Sequence, residues 1–491
     1  MHTTLSNAQV DATDGRHCPA GQGSMTRTSG SSRRPARGLG LVAGLLLGVL
    51  VAPAISLAQP NPGAIERLRR QQKIVITPQS SLQQRLFATE ESKGWEVRIE
   101  LRLPEPRVAG ANFKSEDFIS EDRQSFRDPN RPRQSVDGKS RFAFDKARIV
   151  FPVPERTAGS LALRATYSAK VQMDGRDLLN YAEADQPWET GLRSGTRLAV
   201  FDLPAAEGNR LSLNINAPII ASRLLYDEAE AEKVDWPKSW PEPAASALLP
   251  QYLIDWTGDP KERAETDKEI DVLLAKWLAG VDPKTIKPAV LAKRLASEVM
   301  TYIQPIGTGP GNLVYRSDGL YVQGFKVVRA LEIIKNPRVA DEMYPVLLTA
   351  VYRRAGIPSR IIIGLDIEDK RERDPAKASS ARTKWVTWAE FALADEVNGE
   401  VVWVPVDLAR QRRSSSRPGS LDRPWKYFGN HDELDYMIPL AFQFTPPAPV
   451  FVRGAPALWG WTVEPMLPPS FAAIKVEALR MNSSDRQKNN R

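Results

Sequence analysis

The hydrophobic period of this chain changes once, and that change divides it. Before residue 234 apolar and polar residues alternate in short runs. Residues 95–103 (Trp-Glu-Val-Arg-Ile-Glu-Leu-Arg-Leu) put every second side chain on one face, as a half-buried strand does. Residues 148–152, 160–166 and 210–216 are further short strands, with Gly, Asp and Pro between them. Strands without intervening helices predict an antiparallel β-sandwich. A stretch rich in Pro and Trp follows at 234–243, stiffened by its prolines and with tryptophans suited to docking on a neighbouring surface. Beyond it the spacing becomes helical: Ile270, Leu273, Leu274, Trp277 and Leu278, then Val290, Leu291, Leu295 and Val299, then Val327, Val328, Leu331 and Ile334. A fourth, buried helix covers 346–352, and strands follow at 359–365, 385–393 and 401–406, the last two joined by a turn containing Asn398 and Gly399. The expected class is α+β. The β-sandwich spans 60–233, the linker 234–250, a second domain 251–440, and a Pro-rich extension with a polar tail 441–491.

The amino end bounds the compartment. Arg33, Arg34 and Arg37 precede an apolar run over 38–58 that is broken by Pro53 and closes on Ser56-Leu57-Ala58, a small-x-small pattern suited to signal peptidase. This predicts an export signal within 1–58 and a periplasmic or secreted product; the alternative is a membrane anchor through 38–58. Ser32-Arg33-Arg34 is a weak match to a twin-arginine signal. Cleavage after Ala58 removes Cys18, His2 and His17, leaving no cysteine and one histidine, His431. Disulfides and cysteine-held zinc are then excluded in the mature chain. No second apolar run of about 18 residues follows, so the remainder is expected to be soluble. The net charge of +8 weakly favours anionic surfaces or polymers.

The chemistry-bearing motifs lie in the second domain. Gly356-Ile357-Pro358-Ser359-Arg360 follows the fourth helix, Val386-Thr387-Trp388-Ala389-Glu390 opens a strand, and Trp403-Val404-Pro405-Val406-Asp407 closes the next. In order and spacing this region, about 290–408, resembles a transglutaminase-like domain of papain-like fold. The resemblance implies a Cys/His/Asp triad, with the Cys at the start of the helix that runs into the Gly-Ile-Pro turn. A thiolate is stabilised there by unpaired N–H groups and the helix dipole. The His opens the first strand and takes up the proton, and the Asp orients it. Carried onto this sequence, the nucleophile position is Asp341, the base position is Val386, and the orienting acid survives as Asp407. Pro345 is comfortable only in a first turn, so the helix is expected to start after position 341.

The expectation is therefore an exported, catalytically inactive transglutaminase-like protein that binds a peptide, protein or anionic envelope polymer in the residual cleft. It needs no cofactor and no metal. The alternative is a hydrolase or acyl-transfer enzyme using Glu390 and Asp407. A tight turn at Asn398-Gly399 would set these two carboxylates opposite each other, and a looser one would move Asp407 toward Val386. A third reading is a structural partner in an envelope assembly. Basic residues crowd the loops at the same sheet edge: Lys370, Arg371, Arg373, Lys377, Arg382 and Lys384 before the second strand, and Arg410, Arg412, Arg413, Arg417, Arg423 and Lys426 after the third. Arg371, Arg373, Arg382, Lys384, Arg410, Arg412 and Arg413 are candidate anion-binding residues; the competing reading is a solvated loop surface. Nucleic acid is not expected, because the chain shows no recognisable nucleic-acid module. Gly307, Gly309 and Gly311 read as a turn, since no P-loop Lys-Ser/Thr follows. His431 reads as an unliganded loop histidine.

Overall fold

The computed structural model describes residues 80–103, 142–153, 156–164, 167–182, 184–189, 197–242, 244–251, 254–255, 259–306, 313–315, 322–325, 328–367, 383–442, 451–452, 460–465 and 471–481. The export-signal region, the loop at 115–140, the glycines at 307–311 and the tail from 482 lie outside them.

Of the strands expected in the first region, 95–103, 148–152 and 211–216 lie within strands, and 160–166 is a strand only over Ser160–Ala162. Strand Phe87–Leu103 pairs antiparallel with Leu211–Tyr226, and Trp95 faces Ile219 while Leu103 faces Leu211. The second strand of this pair also receives Ser160–Ala162 and Ser168–Met173. A separate sheet pairs Lys146–Val153 with Arg197–Leu203. Alternation decides which face is buried: Ala147, Ile149 and Phe151 are in the core, while Arg148 points outward to Asp202.

The segment expected as an extension returns to these sheets. Gly460–Glu464 pairs with the strand Lys146–Val153, and Phe471–Arg480 pairs with Phe87–Leu103, Val476 opposite Ile99. The described residues, all beyond residue 79, belong to one compact unit, and the Pro/Trp stretch runs within it. There Trp236 donates its indole N–H to the Ile286 carbonyl at 2.6 Å, lies under the Lys284 ammonium, and meets Trp240 edge-on.

In the second region the helices Pro260–Trp277, Pro288–Tyr302 and Tyr344–Arg354 pack beside a four-stranded antiparallel sheet ordered Glu400–Val406, Thr383–Asp395, Ser359–Ile367, Met437–Ala441. The helix Pro260–Trp277 starts where its sequence says: Asp259 accepts from the Lys261 N–H and Pro260 takes the first position, where its missing N–H costs nothing. Tyr344–Arg354 is buried almost all round. Its Tyr352 hydroxyl donates to the Ala292 carbonyl at 2.8 Å, and the ring packs on Phe391.

The Gly-Ile-Pro turn ends this helix by a Schellman arrangement. The Ile357 N–H reaches the Tyr352 carbonyl and the Gly356 N–H the Arg353 carbonyl, with Gly356 at φ +83°, where a side chain is strained. Pro358 cannot continue the helix, and Ser359 enters the sheet directly.

Gly364, opposite Val386 in the sheet, serves a different need. A Cβ there would lie 2.5 Å from the Ile438 carbonyl oxygen and 2.7 Å from the Trp388 ring. Gly364→Ala is expected to lower stability by about 1–3 kcal/mol, as overpacking of a tight interior does. A denaturant midpoint within error of the parent would show that the strands separate more easily than this packing implies.

Candidate functional site

The site is built where the start of helix Tyr344–Arg354 meets one end of the sheet. Asp341–Met343 form a single 3-10 turn and the α-helix begins at Tyr344, with Pro345 in its first turn. The Thr387 hydroxyl donates to the Glu342 carbonyl at 2.7 Å, tying the opening of strand Thr383–Asp395 to that turn. One bond thus brings the neighbours of Asp341 and of Val386 together. Asp341 is nearly buried, and its carboxylate makes no hydrogen bond or ion pair among the described residues. The Glu342 Oε2 atom and the Tyr344 hydroxyl are buried without a hydrogen-bond partner. Burial raises all three groups, Tyr344 to about 12. For Asp341, Arg413 works against burial and Asp407 with it. Burial thus disfavours the charged form of Asp341.

Asp407 follows the strand Glu400–Val406 and caps the next helix, Leu408–Ser414, accepting from the Arg410 N–H at 2.9 Å. The turn between the two strands is the looser kind. Asp395 pairs with Glu400, leaving four residues, 396–399, between them, and Glu390 faces Pro405. The Glu390/Asp407 pair that a tight turn would create does not form. Glu390 instead accepts a hydrogen bond from Arg360 Nε at 2.8 Å, with Nη2 in an ion pair 2.7 Å from the same oxygen, and both side chains are buried. The guanidinium also lies over the rings of Trp403 and Phe442. Burial raises the Glu390 carboxyl and lowers Arg360 against their mutual attraction, so desolvation is the larger effect on both. A carboxylate held this way is structural.

His431 supplies what the motif reading did not foresee. Its Nε2 lies 3.5 Å from the Asp407 carboxylate, and its Nδ1 accepts the Glu433 N–H at 3.4 Å. The ring is fully buried against Tyr427. Its backbone exchanges hydrogen bonds with Leu224 of the first region, 2.9 and 3.3 Å. The imidazole is fully buried, with Nε2 toward Asp407 and Nδ1 toward the Glu433 N–H. Arg410 completes the cluster: it is buried, pairs with Asp366 at 2.6 Å and with Glu433, and lies 3.5 Å from Asp407. Burial lowers His431 below its ordinary value despite Asp407. Asp407 is lowered although burial alone would raise it, because His431 and Arg410 outweigh that cost. No periodicity links residues 407 and 431. The available signal is that His431 is the sole histidine after residue 17.

Among the candidate anion-binding residues, Arg410 is thus occupied by three carboxylates. Arg412 is half-buried and Arg413 exposed. Arg371, Arg373 and Arg382 lie outside the described residues, and Lys384 is described only through its backbone pairing with Asp366. Among the described residues no group of three or more His, Cys, Asp or Glu side chains is disposed to hold a metal ion.

A family model described as the transglutaminase-like superfamily matches residues 296–408. No curated protein matches the chain. Two solved structures are similar at low identity. One, described as a candidate cysteine protease from Cytophaga hutchinsonii, is 12% identical, covering 81% of this chain and 93% of that one with a TM-score of 0.41. The other, the periplasmic domain of TgpA from Pseudomonas aeruginosa bound to ethylmercury, is 15% identical, covering 54% and 90% with a TM-score of 0.23.

Proposed function

We propose that this protein, whose residues 296–408 match a transglutaminase-like model, is exported and non-catalytic, with Asp341 and Val386 standing at the thiol and imidazole positions, and that it binds a peptide, protein or anionic envelope polymer at the residual cleft. The observation that carries the reading is the triad itself. Acyl transfer by this scaffold needs a thiolate and a base within reach of it. Position 341 offers a largely buried carboxyl, which is no thiolate, and position 386 a hydrocarbon. The surviving acid, Asp407, is engaged by Arg410 and His431, so it supports a loop. The carboxylate-enzyme alternative is disfavoured by the same geometry, since Glu390 is neutralised by Arg360 and faces Pro405. Arg33, Arg34 and Arg37 before the apolar run support export. No described helix is long and apolar enough to cross a membrane.

Purified protein lacking residues 1–58 is expected to show no turnover of glutamine-donor or peptide substrates at neutral pH. Turnover would overturn the reading, and turnover insensitive to iodoacetamide would specifically favour the carboxylates. The scaffold can be probed with Asp341→Cys combined with Val386→His, Asp407 kept. The new thiol is expected to react with iodoacetamide at the rate of an unactivated cysteine, because Pro345 sets the helix start at Tyr344 and Asp407 already has partners. Strongly enhanced reactivity would mean that the triad geometry survives.

A further inference from the structure

We infer that the residual cleft at the start of helix Tyr344–Arg354 takes the zwitterionic head of an α-amino acid, its ammonium received by Asp341 and Glu342 and its carboxylate by Arg412 and Arg413. This rests on the reading of the protein as a binder at that cleft and names the chemistry of what it holds there.

The acidic side is a floor with unmet hydrogen-bonding capacity. Asp341 is 9% exposed, Glu342 7% and Tyr344 0%. The Glu342 Oε2 atom and the Tyr344 hydroxyl have no hydrogen-bond partner among the described residues, and Asp341, which keeps some exposure, makes neither hydrogen bond nor ion pair among them. The Thr387 hydroxyl donates to the Glu342 carbonyl at 2.7 Å and pins this turn to the sheet, so its backbone is ordered before any ligand arrives. Buried polar atoms in folded proteins nearly always have partners. Two that lack them, beside a carboxyl that retains exposure, mark a place for a donor from outside the chain. An ammonium brings three N–H donors and the charge opposite to the carboxylates. Beside Asp341 it favours the ionised form that burial disfavours.

The basic side faces this floor. Asp407 fixes the start of helix Leu408–Ser414 by accepting the Arg410 N–H at 2.9 Å, and the Arg413 Nε donates to the Ala409 carbonyl at 3.2 Å. From that helix Arg413 acts on both Asp341 and Glu342, and Arg412 acts on Asp341 and on the Tyr344 hydroxyl. The Tyr344 hydroxyl thus feels Asp341 and Arg412 together. Yet no ion pair joins Arg412 or Arg413 to Asp341 or Glu342 among the described residues. Opposite charges that feel each other without bonding leave both sets of groups available. A simple cation would satisfy one side and a simple anion the other, whereas an ammonium and a carboxylate carried on one carbon meet both at once. The guanidinium groups supply paired N–H donors suited to a carboxylate.

The test is a saturation-transfer NMR titration of the purified protein with L-alanine and D-alanine at matched ionic strength. Propionate, which lacks the ammonium, and ethylamine, which lacks the carboxylate, are titrated beside them. At least one alanine is expected to bind saturably, and propionate and ethylamine at least about tenfold more weakly. Asp341→Asn, and R412Q with R413Q, are each expected to weaken alanine binding about tenfold or more. A control pair, R176Q with R210Q, removes the same charge from two exposed arginines of the first region and should leave binding within about twofold. Propionate or ethylamine binding as tightly as alanine would reduce the site to a single charge and overturn the proposal. So would unchanged alanine binding in the Asp341 and Arg412/Arg413 variants, equal loss in the control pair, or no saturable binding of either alanine. These titrations read one head group, so such failures leave the non-catalytic reading to the turnover assay. Turnover there would sink that reading and leave the titration as it stands.

Discussion

Glu390→Ala is expected to destabilise the protein by about 3–5 kcal/mol, because it strands a buried guanidinium. Arg360 is 4% exposed, and its hydrogen bond and its ion-pair contact both meet one Glu390 oxygen. Trp403 and Phe442 offer it ring faces, a weaker compensation than a carboxylate. Arg360→Met should cost a similar amount by leaving Glu390 buried and alone, although that carboxyl can protonate. The double change Arg360→Met with Glu390→Leu removes both charges and should recover most of the loss, since burial already works against each partner. Reversible denaturation of the two single variants and the double variant measures the coupling directly. If Glu390→Ala costs less than about 1 kcal/mol, water reaches the pair and Glu390 regains a claim to acid–base work.

The same pair shows how far the sequence could be read. The strand at 383–395, the Gly-Ile-Pro turn and the acid closing the next strand were legible because alternation, a positive-φ glycine and a helix-stopping proline each have a local cause. Pro345 likewise foretold that the helix would begin beyond Asp341. What alternation cannot reveal is register. Whether Asp407 faces Glu390 or moves toward Val386 depends on the length of one turn, and the four residues between Asp395 and Glu400 decide for the second. Nor does local pattern carry pairings between distant segments. The return of Phe471–Arg480 to the strand Phe87–Leu103 adds ladder bonds that no nearby residue announces. The bridge from His431 to Leu224 is of the same kind, which is why a histidine read as an unliganded loop residue proves to be the contact joining the first region to Asp407.

That contact makes stability depend on pH in two separate windows. His431 is buried and held below its ordinary value of 6.5, chiefly by desolvation. Between its folded value and 6.5 the unfolded chain binds the extra proton, so stability rises with pH there. The contribution is complete above 6.5 and is lost as pH falls through the folded value. Asp407 is also lowered, below 3.8, so its contribution is complete above that value and is lost as pH falls further. Melting temperature should therefore decline first just below pH 6.5 and again below about 4. His431 is the only histidine after residue 17, so in protein lacking residues 1–58 His431→Gln should abolish the upper decline and leave the lower one. At neutral pH His431→Ala should cost about 2–3 kcal/mol and Asp407→Asn about 1–3 kcal/mol, because each leaves buried polar partners unsatisfied. The two together should cost less than the sum, since either change already breaks the 3.5 Å contact. A pH profile of His431→Gln that retains the upper decline would place the responsible proton elsewhere.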